Sequence, residues 1–164
     1  MPTVIATPGA TDANSYTTVA EADAYFGDSF GRGLWTTASA SDKEALVITA
    51  SRTLDQYIQW IGQKTTADQA MEWPRKGTPY ASDVIPSKVK YATFELAYFT
   101  LENGGLSFAQ QTVDSVKVGP VSVDFSKNST DAGIPSFIES LIGDLGSPII
   151  VGGSTVRMAK LERT

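Results

Sequence analysis

The sequence predicts a mainly helical α+β domain: a small helical bundle with one β-hairpin, an extended N-terminal arm and a C-terminal tail. Three observations point there. Two Ser/Thr-x-x-Glu boxes and two proline-led segments each precede apolar residues at helical spacing. Between Val116 and Phe125 the period changes to strict alternation. Residues 1–15 are rich in Thr, Ala, Pro and Gly, and Gly146 to Thr164 reads as an apolar patch, Ile149-Ile-Val151, a Gly-Gly hinge and a basic tail.

Residues 1–15 read as the arm. Thr18 followed by Glu21 is a capping box, which opens a short helix through about Phe30 with Ala22, Tyr25 and Phe26 on its apolar face. Gly31–Thr36 is a turn in which Trp35 anchors the chain to the core. Ser41 followed by Glu44 is a second box, and its helix is expected to run to about Gln59 with Leu46, Ala50, Leu54, Ile58 and Ile61 in register. Gly62 suits the position just past a helix end.

Residues 62–84 form a connection longer than compact domains usually carry, which marks it as an interaction loop. Pro86 is expected as the first residue of a helix reaching Glu102, apolar on nearly all sides, and Asn103-Gly-Gly105 stops it. Val116 and Val118 precede Gly119-Pro120, and Val121 and Val123 follow, giving the hairpin near 113–125. Pro135 opens a last short helix with Phe137, Ile138, Leu141 and Ile142, closed by Gly143. The resulting division is an arm at 1–15, a helical body at 16–145 and a flexible tail at 146–164. No internal repeat is visible.

Composition narrows the function classes. The 164 residues suffice for one self-supporting core, with 41% hydrophobic and 10% aromatic residues. No run approaches the roughly 18 apolar residues that cross a membrane, and no secretory leader pattern is seen. The chain has no cysteine and no histidine. That removes disulfides, thiolate sites, Ser-His-Asp triads and the commonest transition-metal ligand, and it makes the cytoplasm of the producing cell the simplest site of synthesis. The acidic residues are scattered, with no two marked as a catalytic pair, so no enzyme, cofactor or metal is expected.

Net charge is −5. Residues 1–31 hold Asp12, Glu21, Asp23 and Asp28 without a base, and no basic stripe with interleaved aromatics follows. Tight non-specific nucleic-acid binding is therefore disfavoured.

Each candidate site has an ordinary reading beside the functional one. Gly152-Gly-Ser-Thr lacks the Gly-Lys-Ser/Thr ending of a phosphate loop and reads as a hinge. Asp23 and Asp28 read as solvated helix charges rather than metal ligands. Trp35, Trp60 and Trp73 could stack bases, but each ends or follows an apolar pattern, which favours anchoring. Arg75 and Lys76 could meet phosphate, or Arg75 could pair with a carboxylate on a neighbour. The segment Trp73-Pro74-Arg75-Lys76-Gly77 combines a large anchor, a fixed backbone, a planar cation and a sharp exit, which suits docking. The strands carrying Val116, Val118, Val121 and Val123 have edges that need a partner, their own helices or adjacent copies in a ring.

Asn14-Ser-Tyr-Thr-Thr-Val-Ala-Glu-Ala-Asp-Ala-Tyr-Phe26, Leu54-Asp55 with Trp60-x-Gly62, and Gln69-Ala-Met-Glu-Trp-Pro-Arg-Lys-Gly77 together resemble a group of tailed-bacteriophage proteins. Ile85-Pro86 and the pattern at Val118–Val123 also fit, so the likeness covers roughly residues 14–125. Proteins of this group are often labelled DnaT-like, which implies a single-stranded DNA-binding replication protein. They also look like head–tail connectors, or adaptors, which form a ring beneath the portal, usually of twelve copies. The connector resemblance implies a structural virion protein of the neck, assembled in the host cytoplasm. Its partners are then its own copies, the portal protein and the next tail or neck protein. Double-stranded DNA would pass the lumen without specific binding, and no membrane is involved. The interface expected from it comprises Trp73, Pro74, Arg75, Lys76, Val116, Val118, Val121 and Val123. In the tail it adds Val156, Arg157, Met158 and Lys160.

Overall fold

The Thr18 hydroxyl oxygen accepts a hydrogen bond from the Glu21 backbone N–H and the Thr18 backbone N–H donates to the Glu21 carboxylate, so the first capping box forms and opens α1 (Val19–Gly27). The computed structural model of the chain describes residues 2–105 and 134–149, with the backbone of strands at 116–118 and 121–123. Helix α2 (Gly33–Thr37) occupies the expected turn and buries Trp35, whose indole N–H donates to Asp23 at 2.8 Å. Helix α3 (Ala40–Tyr57) is capped by Ser39 rather than Ser41. Ser39 accepts from the Asp42 N–H at 3.1 Å and donates to its carboxylate at 2.7 Å. Both serines meet the spacing rule, and the structure uses the earlier one.

Helix α3 also ends earlier than its periodicity suggests. Ile58–Trp60 is a strand, β1, not a last helical turn. It pairs antiparallel with β6 (Gly146–Pro148), with Ile58 opposite Pro148 and Trp60 opposite Gly146. The Ile61 N–H reaches the Leu145 carbonyl at 3.0 Å and the Ile149 N–H reaches Tyr57 at 2.8 Å. Residues 146–149, expected in a flexible tail, are therefore pinned to the body. Strands β2 (Gln63–Lys64) and β3 (Arg75–Lys76) pair at the neck of the long loop. Gly62, just before them, has φ of 71°, and a Cβ there would lie 2.4 Å from the Lys76 carbonyl oxygen.

Pro86 is the cap preceding α4 (Ser87–Glu102), one position before its expected place. The helix buries Val89, Ala92, Thr93, Phe94, Leu96, Ala97, Tyr98 and Thr100, which explains its wide apolarity: α3 packs on one side and α5 (Ser136–Ile142) on another. Asn103 caps it and Gly104 takes φ of 66°. Pro135 and Gly143 bracket α5 as expected, and a short 3-10 turn, Gly143–Leu145, leads into β6. Strands β4 (Val116–Val118) and β5 (Val121–Val123) pair antiparallel, Val116 opposite Val123 and Val118 opposite Val121, which is the expected hairpin. The architecture is thus mixed α+β with helices dominant. No described helix is long and apolar enough to cross a membrane.

The N-terminal segment does not stand clear as an arm. Ile5 and Asn14 close a loop on each other, with the Ile5 N–H on Asn14 Oδ1 at 2.8 Å and the Asn14 N–H on the Ile5 carbonyl at 2.9 Å. Ser15 and Tyr16 then bond to Ser51 of α3, and Ala10 accepts from the Ala70 N–H. Val4, Ala10 and Ala13 lie against the core.

Candidate docking and nucleic-acid surfaces

Trp73 is 1% exposed, and its ring meets Trp60 edge to face at 5.9 Å and 84°. The Trp73–Pro74 bond is cis. Gln69, also buried, donates from Nε2 to the carbonyls of Met71, Glu72 and Pro74 and accepts from the Thr66 N–H. One amide side chain thereby satisfies backbone groups that the folded-in loop would otherwise strand.

Arg75, 7% exposed, spreads its fork in the same way. Its Nε donates to the Ile61 carbonyl at 2.7 Å and Nη2 to Gly62 at 2.8 Å. Its Nη1 donates to the Glu72 carbonyl at 3.2 Å and carboxylate at 2.5 Å. Lys64 completes the group, 3.1 Å from Glu72. A guanidinium is the side chain able to meet three backbone carbonyls and a carboxylate at once.

Asp55 joins this loop to the rest of the body. It accepts from the Tyr16 hydroxyl, from Trp60 Nε1 at 3.2 Å and from the Glu72 N–H at 3.1 Å. Burial pushes its carboxyl up to about 6, against the three donors, which favour the anion. Burial and the neighbouring Asp55 also hold the Tyr16 hydroxyl well above its ordinary value.

These contacts correct the expected docking loop. Trp73, Pro74 and Arg75 lie in the chain's own core, and of the four motif residues Lys76 alone is exposed. The partner carboxylate of Arg75 is Glu72 of the same chain. Val116, Val118, Val121 and Val123 stand on the paired strands, and their side chains fall outside the described residues. Phe125, the Gly152–Gly153 hinge and Val156, Arg157, Met158 and Lys160 also lie outside them. Sequence reasoning missed Tyr16 and Asp55 as the hub. The available signal was an acidic residue beside Leu54 and Ile58 on the buried side of α3, which needs partners.

A single-strand groove needs exposed aromatics and unpaired cations. Trp35, Trp60 and Trp73 are 2%, 7% and 1% exposed, so none offers a face to a base. Six of the eight lysines and arginines with described side chains are within ion-pair distance of a carboxylate. Arg52 and Lys76 are the two others, both exposed. Asp23 accepts from Trp35 and Lys43; burial opposes its ionisation, but those two bonds hold its carboxyl below the ordinary value. No group of three or more acidic residues among those described is placed to hold a metal.

Exposed aromatics remain at Phe30, Tyr91 and Phe137. Tyr91 stacks on Tyr25 at 5.4 Å, and Phe137 lies 5.9 Å from Phe99. Tyr25 donates to Glu95 at 2.8 Å, and burial followed by that carboxylate pushes its hydroxyl up to about 12.

Comparison with known proteins adds one relationship. The family model described as "Putative DnaT-like ssDNA binding protein" matches residues 1–164, so the chain belongs to that DnaT-like family. No curated protein and no solved structure gives a match.

Proposed function

From the fate of its motif residues, we propose that the chain is a structural head–tail connector of a tailed bacteriophage. It would form a ring beneath the portal and join the head to the tail. The observation that carries this reading over the family's printed description is that the three tryptophans are buried and six of the eight described cations are paired with carboxylates of the same chain. A net charge of −5 suits a lumen that DNA must pass without sticking. The segments that resemble connectors form the braced half of the body, giving a rigid block suited to side-by-side packing. The role calls for no catalytic step, cofactor or metal.

The corrected surface changes which residues are proposed to dock. Lys76, the hairpin Val116–Val123 and the tail at Val156–Lys160 stay candidates for contact with adjacent copies or the portal. Trp73, Pro74 and Arg75 serve by holding the loop.

The family description favours a second reading, a single-stranded DNA-binding replication protein. Co-sedimentation with the cognate portal ring, run beside an oligothymidylate titration, separates the two. A connector binds the portal and shows no salt-dependent oligonucleotide affinity. A single-strand binder ignores the portal and loses affinity steeply as salt rises.

A further inference from the structure

Residues 3–17 and the loop residues 62–77 pack on each other as well as on the helices. The Ala70 N–H donates to the Ala10 carbonyl at 3.1 Å, and a Cβ on Gly9 would lie 3.8 Å from the Pro74 ring. Both segments also reach one carboxylate of α3, where Asp55 accepts from the Tyr16 hydroxyl and from the Glu72 N–H. We infer that the two segments form a single layer, latched to α3 through Asp55, which opens and closes as a unit while the helices stay packed. The inference concerns the chain alone and stands apart from both readings of its function.

Buried polar groups are concentrated in and under this layer. Ser15, Thr17, Gln69 and Arg75 belong to it. Ser51 of α3 receives it, accepting from the Tyr16 N–H at 3.0 Å and lying 3.2 Å from the Ser15 hydroxyl. The other buried polar side chains among the described residues, Thr53, Thr93 and Thr100, bond back to carbonyls of their own helices. The seams of α4 with α3 and α5 are therefore closed by apolar side chains such as Leu54, Phe94, Leu96, Ile138 and Ile142. In the layer, the Trp73 indole N–H is buried without an acceptor among the described residues. Water entering beneath the layer rehydrates polar groups, whereas water between the helices would meet hydrocarbon. Local opening accordingly costs least at the layer.

The latch responds to protons. Facing Asp55 are Tyr16 from the N-terminal segment, Trp60 from β1 and Glu72 from the loop, whose carboxylate is held in turn by Arg75 and Lys64. Burial outweighs the donors and pushes the Asp55 carboxyl up to about 6, against 3.8 ordinarily. An open layer returns the group to water and to its ordinary value. The closed form thus holds an extra proton between those values. Closure is strongest below about pH 4 and weakens as pH rises through 6.

Hydrogen–deuterium exchange of the full-length chain, read by mass spectrometry and corrected for intrinsic rates, tests the latch. Residues 3–17 and 62–77 should share one opening constant, about tenfold or more above that of α4. Between pH 5 and pH 7.5 that constant should rise about tenfold, the ratio that a carboxyl shifted from 3.8 to 6 produces. In Asp55→Asn it should no longer depend on pH. Tyr16→Phe removes a donor on the N-terminal side alone, yet it should speed exchange of the loop as much as of residues 3–17 and leave α4 unchanged. Ser51→Ala, which loosens the seat of Ser15 and Tyr16, serves as a second variant should Tyr16→Phe fold poorly. Different opening constants for the two segments, a substitution effect confined to residues 3–17, an opening constant equal to that of α4, or one indifferent to pH in the parent chain overturns the inference.

Discussion

Trp60 and Trp73 meet edge to face, 5.9 Å apart, across a gap of thirteen residues in the chain. That contact decides what the loop between α3 and α4 is. Trp60 comes from β1 and Trp73 from the middle of the loop, so the loop is folded inward onto the strand that α3 feeds.

Trp73→Ala should accordingly act as a core truncation. A buried aromatic reduced to alanine costs about 3–5 kcal/mol. The expected outcome is a large fall in the urea midpoint, with any loss of docking or oligonucleotide binding tracking the unfolded fraction. A variant of unchanged stability would contradict the buried placement.

Arg75→Ala leaves the Ile61 and Gly62 carbonyls without their donor and the Glu72 carboxylate with Lys64 as its remaining partner. A loss of about 3 kcal/mol is expected, since each stranded buried group carries its own desolvation penalty. Arg75→Lys should recover a minor part of it, because an ammonium cannot reproduce the fork. Equilibrium urea unfolding of the three proteins checks the order.

Asp55 predicts a pH dependence with a definite sign. Its carboxyl sits near 6 in the folded chain against 3.8 ordinarily, because burial outweighs its three donors. Between those values the folded state holds the extra proton, so stability from this group is full below about pH 4 and falls as pH rises through 6. The fall amounts to at most about 3 kcal/mol. Glu21 works the other way at lower pH. Burial opposes its ionisation, but bonds from Lys90, Thr18 and Thr17 bring its carboxyl to about 2. Its stability is present above 4.5 and lost as pH falls through 2. Urea midpoints at pH 4.5 and pH 7 should differ in the parent chain and converge in Asp55→Asn, although that variant is weaker throughout because an amide NH₂ faces a donor.

Gly62→Ala should be destabilising by more than the roughly 1 kcal/mol that left-handed backbone costs an L-residue, because the added Cβ also collides with the Lys76 carbonyl. Thermal unfolding reads it directly.

Legibility in the sequence followed the range of the interaction. Thr18 with Glu21, Asn103-Gly104, and Pro135 with Gly143 are local devices, and each marks an element end as expected. The Ser39-against-Ser41 choice was invisible because both serines have an acidic residue three positions on. The β1–β6 ladder joins residues 58–60 to 146–148, three-residue strands with no periodicity to read, and it alone turns the end of α3 into a strand. For the candidate site, composition identified Trp73, Pro74 and Arg75 as an anchor. The same properties that suit an interface suit a buried brace, and the choice was made by partners in other segments, Trp60, Ile61 and Gly62.

Native mass spectrometry of the full-length chain, alone and mixed with the cognate portal ring, tests the connector reading most directly. The account predicts a discrete high-order complex on the portal, from whose mass the number of copies follows. A chain that stays monomeric beside the portal and instead binds oligothymidylate would contradict it and establish the single-strand reading.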